Sequence, residues 1–230
     1  MSIESITKLV DSISKLVSSL AWPSITGFLL IKFWPDIRRI FDEREDISFK
    51  ALGFEATLKN KVSASATALA AARATSPDYT LGPDSAAKEK LEASAVVTSS
   101  ITPRFLSRAR KSVVLWVDDR PDNNTFERQS LEVLGVRFVL ASSTEEALAL
   151  VSSQSIDAII SDMGRPPDAR AGYALLDQLR AKGAKIPFII YAGSSSPENV
   201  AESRQHGALG CTNNPYELFE YVVEALRQSA

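Results

Sequence analysis

Three aspartates are the residues of this chain whose type and spacing could do chemistry. Asp118 and Asp119 end the apolar run Val113-Val-Leu-Trp-Val117, and Asp162 ends the run Ala158-Ile-Ile-Ser161. A short apolar run that stops in a carboxylate, followed by a helix-like pattern, predicts a buried parallel strand delivering acid to the carboxyl edge of a sheet, where α/β folds place their sites. If the two strands are neighbours, the three carboxylates converge on one pocket. Held that close they repel one another, and either a divalent cation or a raised pKa on one acid relieves the repulsion. Magnesium suits such a set, because it takes oxygen ligands octahedrally and commonly uses one or two carboxylates, waters and a phosphoryl oxygen.

The elements that must hold these acids occupy residues 111–230. Val113 to Val117 reads as a first strand and Pro121 to Leu134 as a first helix, with Phe126, Leu131 and Leu134 toward the sheet and Gly135 ending it. Val136 to Ala141 is a second strand, and Ser143-Thr144-Glu145-Glu146 has the form of a capping box opening the next helix. Residues 158–161 form a third strand, 171–182 a helix presenting Leu175, Leu176 and Leu179, and 186–192 a fourth strand. Ser196-Pro197-Glu198 starts a helix with proline in its first turn, residues 209–212 form a short fifth strand, and Pro215 opens a last helix with Leu218, Phe219, Val222, Val223 and Leu226 on one face. Strands alternating with helices require a parallel sheet with right-handed crossovers, so the expected class is α/β, a doubly wound five-stranded parallel sheet.

This constellation resembles the receiver domain of bacterial response regulators, over residues 111–230. The resemblance implies a flavodoxin-like strand order 2-1-3-4-5, with the first and third strands side by side. It implies that Asp118 and Asp119 are the magnesium-binding acidic pair, that Asp162 is both a ligand and the phosphoacceptor, and that Gly164 lends a backbone carbonyl to the metal. Two further positions depart from the family. A serine or threonine ordinarily ends the fourth strand, where this chain has Ala192, and a lysine ordinarily precedes the proline after the fifth, where it has Asn214. Asparagine can donate a hydrogen bond but brings no charge, so a phosphoryl group on Asp162 would depend more heavily on the metal. Arg165 and Arg170, in the loop after Gly164, lie near enough in sequence to replace the lost cation. Solvation of both in an exposed loop is the plainer expectation.

Ahead of this domain the chain reads differently. Residues 1–15 form a short N-terminal segment, and no charged residue occurs from Leu16 to Ile31. Residues 16–34, which carry Trp22, Gly27 and Trp34 with lysines at each end, are long enough for one transmembrane helix. An amphipathic or core helix is the competing reading, since Ile3, Ile6, Val10, Ile13 and Val17 recur at helical spacing. The excess of Lys32, Arg38, Arg39 and Arg44 over Lys8 and Lys15 places the bulk of a spanning chain in the cytoplasm, anchored to the inner membrane. Residues 35–110 read as a juxtamembrane region and an Ala/Ser-rich linker with helical pieces, including a short strand or hairpin around Gly53.

Composition narrows the function classes. Net charge is −2, and no basic run is long enough for nucleic acid. One cysteine, Cys211, and one histidine, His206, exclude a disulfide framework or a Cys/His metal cluster within one chain. The expectation is a non-enzymatic, membrane-anchored, atypical receiver acting through protein contacts, with a histidine kinase or neighbouring effector as partner and self-association as a further outlet. An inert pseudo-receiver scaffold and a magnesium-dependent phosphohydrolase are the alternatives. The latter lacks an Asp-x-Asp nucleophile loop, a Gly-rich phosphate loop and a general-base histidine near the aspartates.

Overall fold

In the computed structural model, residue 32 and residues 55–76, 79 and 85–228 are described. The chain divides into two compact units, Met1–Thr57 and Leu58–Ala230, and the second carries the elements that matter to the site. After a helix over residues 55–75 (α1) come α2 (Ser85–Ser100) and α3 (Pro103–Ala109). The alternating part follows as β1 (Val113–Val117), a 3-10 turn over Pro121–Asn124, α4 (Thr125–Glu132), β2 (Arg137–Ala141), α5 (Thr144–Ser153) and β3 (Ala158–Ser161). It closes with α6 (Ala171–Ala181), β4 (Phe188–Tyr191), α7 (Pro197–Gln205), β5 (Gly210–Thr212) and α8 (Pro215–Gln228).

All five strands are parallel in the order β2-β1-β3-β4-β5, the order the resemblance implied. Alternation along β1 divides the core in two. Val114 and Trp116 face a layer built on α4 and α8, while Val113, Leu115 and Val117 face a layer built on α5 and α6. A strand covered on both faces has no polar side, which is why β1 is apolar throughout.

Several expectations need correction. The first helix opens as a 3-10 turn and ends at Glu132, and Phe126 does not face the sheet but is 40% exposed. Leu131 sets the buried face of α4, and Phe126 stands five residues before it, about 140° around the helix. Residues 55–58, expected to end a strand or hairpin around Gly53, are helical; Gly53 itself lies outside the described residues.

The Ala/Ser-rich linker also proves to be more than a tether. Ala66 and Leu69 of α1 and Ala93 and Val97 of α2 are buried in the same core as α4 and α8. The Ser65 hydroxyl donates to the Ser130 carbonyl at 2.7 Å, and the Lys61 ammonium donates to the Val133 carbonyl. Tyr216 of α8 donates to the Glu89 carbonyl at 3.1 Å, and Arg227 donates to the Ser100 carbonyl at 2.6 Å. Small side chains let helices approach closely, so alanines that looked like spacer serve as contact surface.

Among the described residues no helix is long and apolar enough to cross a membrane. The span expected at residues 16–34 lies outside them apart from Lys32, which is helical and exposed.

Candidate functional site

The ladder places the acids. Val117 pairs with both Ala141 and Ser161, so Asp118 and Asp162 leave adjacent strands at the same level. The Asp118 amide donates to the Ala141 carbonyl and the Asp162 amide to the Val117 carbonyl, each at 2.9 Å. These bonds fix both backbones one residue past the strand ends. Asp118, Asp119 and Asp162 each present an oxygen within 4.8 Å of the others, so the three predicted ligands do meet. Gly164 lines the same space.

Electrostatics follow from this packing. Burial, and then the neighbouring Asp118 carboxylate, raise the Asp162 pKa from its ordinary 3.8 to about 6; Asp119 adds to the rise, while a backbone bond at Met163 and the Arg165 charge oppose it. Asp118 is held by the Arg120 amide at 2.7 Å and the Asn124 side-chain amide at 2.6 Å. A carboxylate offers about four lone-pair sites, so Asp118 retains acceptor capacity for a cation. An all-oxygen donor set in which two carboxylates raise the proton affinity of Asp162 fits magnesium.

Arg165 is the residue whose surroundings the sequence misjudged most. Instead of standing solvated in a loop, it is 4% exposed, and its guanidinium donates to the Ser161 hydroxyl and the Asp162 carbonyl, both at 2.6 Å, and to Thr144 at 3.2 Å. Burial lowers its pKa, a shift that the charges of Asp162, Asp118, Asp119 and Asp168 offset only in part. The cation therefore braces the backbone of Asp162 from behind. Arg170 keeps the exposed position expected of it, paired with Glu202 at 2.5 Å and lying over the Tyr173 ring.

The two departures from the family behave differently. Ala192 lines the site, as its position implied. Asn214 does not line it: its side-chain oxygen accepts the Tyr216 amide at 2.9 Å, capping the start of α8. The neighbouring Asn213 reaches the cleft instead, and its side-chain oxygen accepts a bond from Ser195 at 2.7 Å.

Two clefts flank Asp162. One, of about 410 Å3, opens toward Arg170, Tyr173, Ser194 and Glu202. The other, of about 510 Å3, is walled by Asp118, Asp119, Glu127, Tyr191 and, unexpectedly, by Thr75 and Ser76 at the end of α1. Glu127 was no candidate in the sequence, where it reads as one charged position of an amphipathic helix. It is 6% exposed, accepts the Tyr191 hydroxyl at 3.0 Å, and has its pKa raised chiefly by burial. Cys211 is a small buried core residue, and His206 stacks on Tyr173 with ring centroids 4.2 Å apart and pairs with Asp177 at 2.7 Å.

Gly172 sits at a close approach. A β-carbon there would lie 3.0 Å from the Asp162 carbonyl and 3.1 Å from the Met163 α-carbon, so a larger residue would press α6 against the backbone that follows β3.

Residues 114–224 match the family described as the response regulator receiver domain. Among characterised proteins the chain is similar to the Escherichia coli (strain K12) sensor histidine kinase RcsC, 27% identical over 117 residues, or 51% of this chain and 12% of that protein. It is 34% identical over 120 residues to the Bordetella pertussis virulence sensor protein BvgS, covering 50% of this chain and 9% of that protein. It is 32% identical over 117 residues to the Priestia megaterium protein named "Probable C4-dicarboxylate response regulator DctR", covering 50% of each. The chain thus spans half or less of the length of these relatives. Solved structures similar to it include the Francisella response regulator 1452 receiver domain, at 24% identity and a TM-score of 0.46, covering 52% of this chain and 99% of that one. Another is the chemotaxis response regulator CheY4 of Vibrio cholerae, at 26% identity and a TM-score of 0.42, covering 52% and 98%.

Proposed function

We propose, from the premise that residues 114–224 form a response regulator receiver domain of two-component signalling, that Asp162 accepts a phosphoryl group from a histidine-kinase donor. The observation that carries this reading is the convergence of Asp118, Asp119 and Asp162 within 4.8 Å, next to the buried Arg165. In the transfer an Asp162 carboxylate oxygen attacks phosphorus, and the donor's phosphorus–nitrogen bond breaks with its electron pair leaving on the imidazole. Asp118, Asp119, Asp162 and the Gly164 carbonyl would hold magnesium, whose charge, when bound, offsets both the triad's repulsion and the charge developing on the phosphoryl oxygens. Arg165 fixes the Asp162 backbone against movement, and its charge keeps the attacking carboxylate more ionised than its neighbours alone would allow.

Output then passes by protein contact. The uncharged run Leu16–Ile31 and its basic flank support anchoring to the inner membrane, with the receiver in the cytoplasm. Recovery of the full chain in the supernatant after carbonate extraction of membranes would refute the anchor.

A specific observation favours a second reading, an inert pseudo-receiver. Ala192 brings no hydroxyl, and the Asn214 side chain is committed to capping α8. Intact-mass analysis of the full chain after incubation with acetyl phosphate and magnesium divides the two readings. A magnesium-dependent gain of one phosphoryl mass, absent from Asp162→Asn, supports transfer, and an unchanged mass supports the inert scaffold.

A further inference from the structure

The larger cleft beside Asp162 belongs only in part to the receiver. Its far wall is the end of α1, where Thr75 and Ser76 face the space that Asp118, Asp119 and Asp162 enclose from the other side. The helix is not loosely laid there. Leu69 is fully buried, and Ser65 and Lys61 bond to the carbonyls of Ser130 in α4 and Val133 just after it. Nor are both hydroxyls committed. Thr75 donates back to Ala71 and Ala72 carbonyls at 3.2 and 3.0 Å, and Ser76 to Ala72 at 3.1 Å. The buried Ala72 carbonyl thus has two hydroxyl donors, so either one can leave while the other keeps it satisfied.

Glu127 walls the cleft beside the triad. It is buried, and its Oε2 atom is shielded from solvent with no hydrogen-bond partner among the described residues. At about 510 Å3 the cleft has room for a phosphoryl group together with a hydrated cation and several waters.

We propose that the end of α1 is the reader of this site: a Thr75 or Ser76 hydroxyl turns to a tetrahedral oxyanion on Asp162, directly or through water, in place of the hydroxyl missing at Ala192. The inference rests on the proposed phosphoryl transfer to Asp162 and assigns its readout. Helix α1 then carries the state of Asp162 toward the N-terminal part of the chain.

The test uses the full chain with magnesium alone, and with magnesium plus beryllium fluoride as the phosphoryl mimic. Hydrogen exchange of the α1 amides is the readout. Adding the mimic should slow exchange at residues 70–76 by about tenfold, whereas magnesium alone should change it less than about twofold. Thr75→Ala with Ser76→Ala should abolish that protection and weaken binding of the mimic by about ten- to hundredfold, the loss expected for one hydrogen bond to a charged group. Magnesium affinity should stay within about twofold. Thr75→Ser, which keeps a hydroxyl, should restore the protection. If the mimic stabilises wild type but not Asp162→Asn, while α1 exchange and the double variant's affinity are unchanged, the readout is refuted and phosphoryl transfer stands. If the mimic fails to stabilise wild type at all, transfer to Asp162 is refuted and the readout falls with it.

Discussion

Replacing Asp162 by asparagine removes one of three mutually repelling charges at nearly constant volume, and the structure sets both the size and the pH dependence of the effect. In the folded chain the Asp162 pKa is raised to about 6, against an ordinary 3.8. Between those two values the folded state keeps a proton that the unfolded state releases, so stability falls as pH rises through this window. Above about pH 6 the folded state bears the full cost of the ionised carboxylate. A difference of roughly two pKa units corresponds to about 3 kcal/mol, and screening in a pocket open to solvent reduces this to about 1–2 kcal/mol. Asp162→Asn should therefore stabilise the metal-free protein by about 1–2 kcal/mol at pH 8, or about 2–8 °C in Tm, and hardly at all at pH 4. Magnesium at about ten times its Kd should stabilise wild type by about 1.4 kcal/mol, closing most of the gap, and should do much less for the variant. Thermal denaturation at the two pH values, with and without magnesium, reads all four numbers. Equal gains at pH 4 and pH 8, or equal magnesium stabilisation of the variant and wild type, would show that the three carboxylates do not share a site.

Other perturbations test separate parts of the structure. Arg165→Met should cost about 1.5–3 kcal/mol in urea unfolding by removing charge-assisted bonds to Ser161 and Asp162, and should raise the Asp162 pKa further, visible as an upward shift of its carboxyl NMR titration. Leu69→Ala should cost about 2–5 kcal/mol in unfolding of the Leu58–Ala230 unit; no change would mean that α1 is a tether after all. Asn214→Lys should lose about 1 kcal/mol with the α8 cap, while increasing acetyl phosphate labelling by restoring a cation; intact mass and Tm on one sample measure both. Gly172→Ala should cost about 1–3 kcal/mol by pressing on the Asp162 carbonyl, and should slow labelling in step.

By itself the sequence determined the sheet and the triad. Periodicity and the abrupt acids at 118, 119 and 162 placed the strands, because a parallel strand buried on both faces can only be a short apolar run, and because the carboxyl edge is where such a run meets water. What tertiary structure decided is what surrounds the triad. Arg165 looked like one of two loop arginines, and only the return of the loop over Ser161 and Thr144 buries it. Phe126, expected toward the sheet with Leu131, is exposed, and Glu127 is buried instead, against a Tyr191 that local periodicity does not bring there. Asn214 stands at the position of the missing lysine, yet its short side chain closes on the backbone two residues ahead, leaving Asn213 to reach the cleft. The alanines of α1 look the same in a spacer as in a helix contact. What distinguishes the two is whether another surface comes within reach, and here α4 and α8 supply it and bring Thr75 and Ser76 to the acidic cleft.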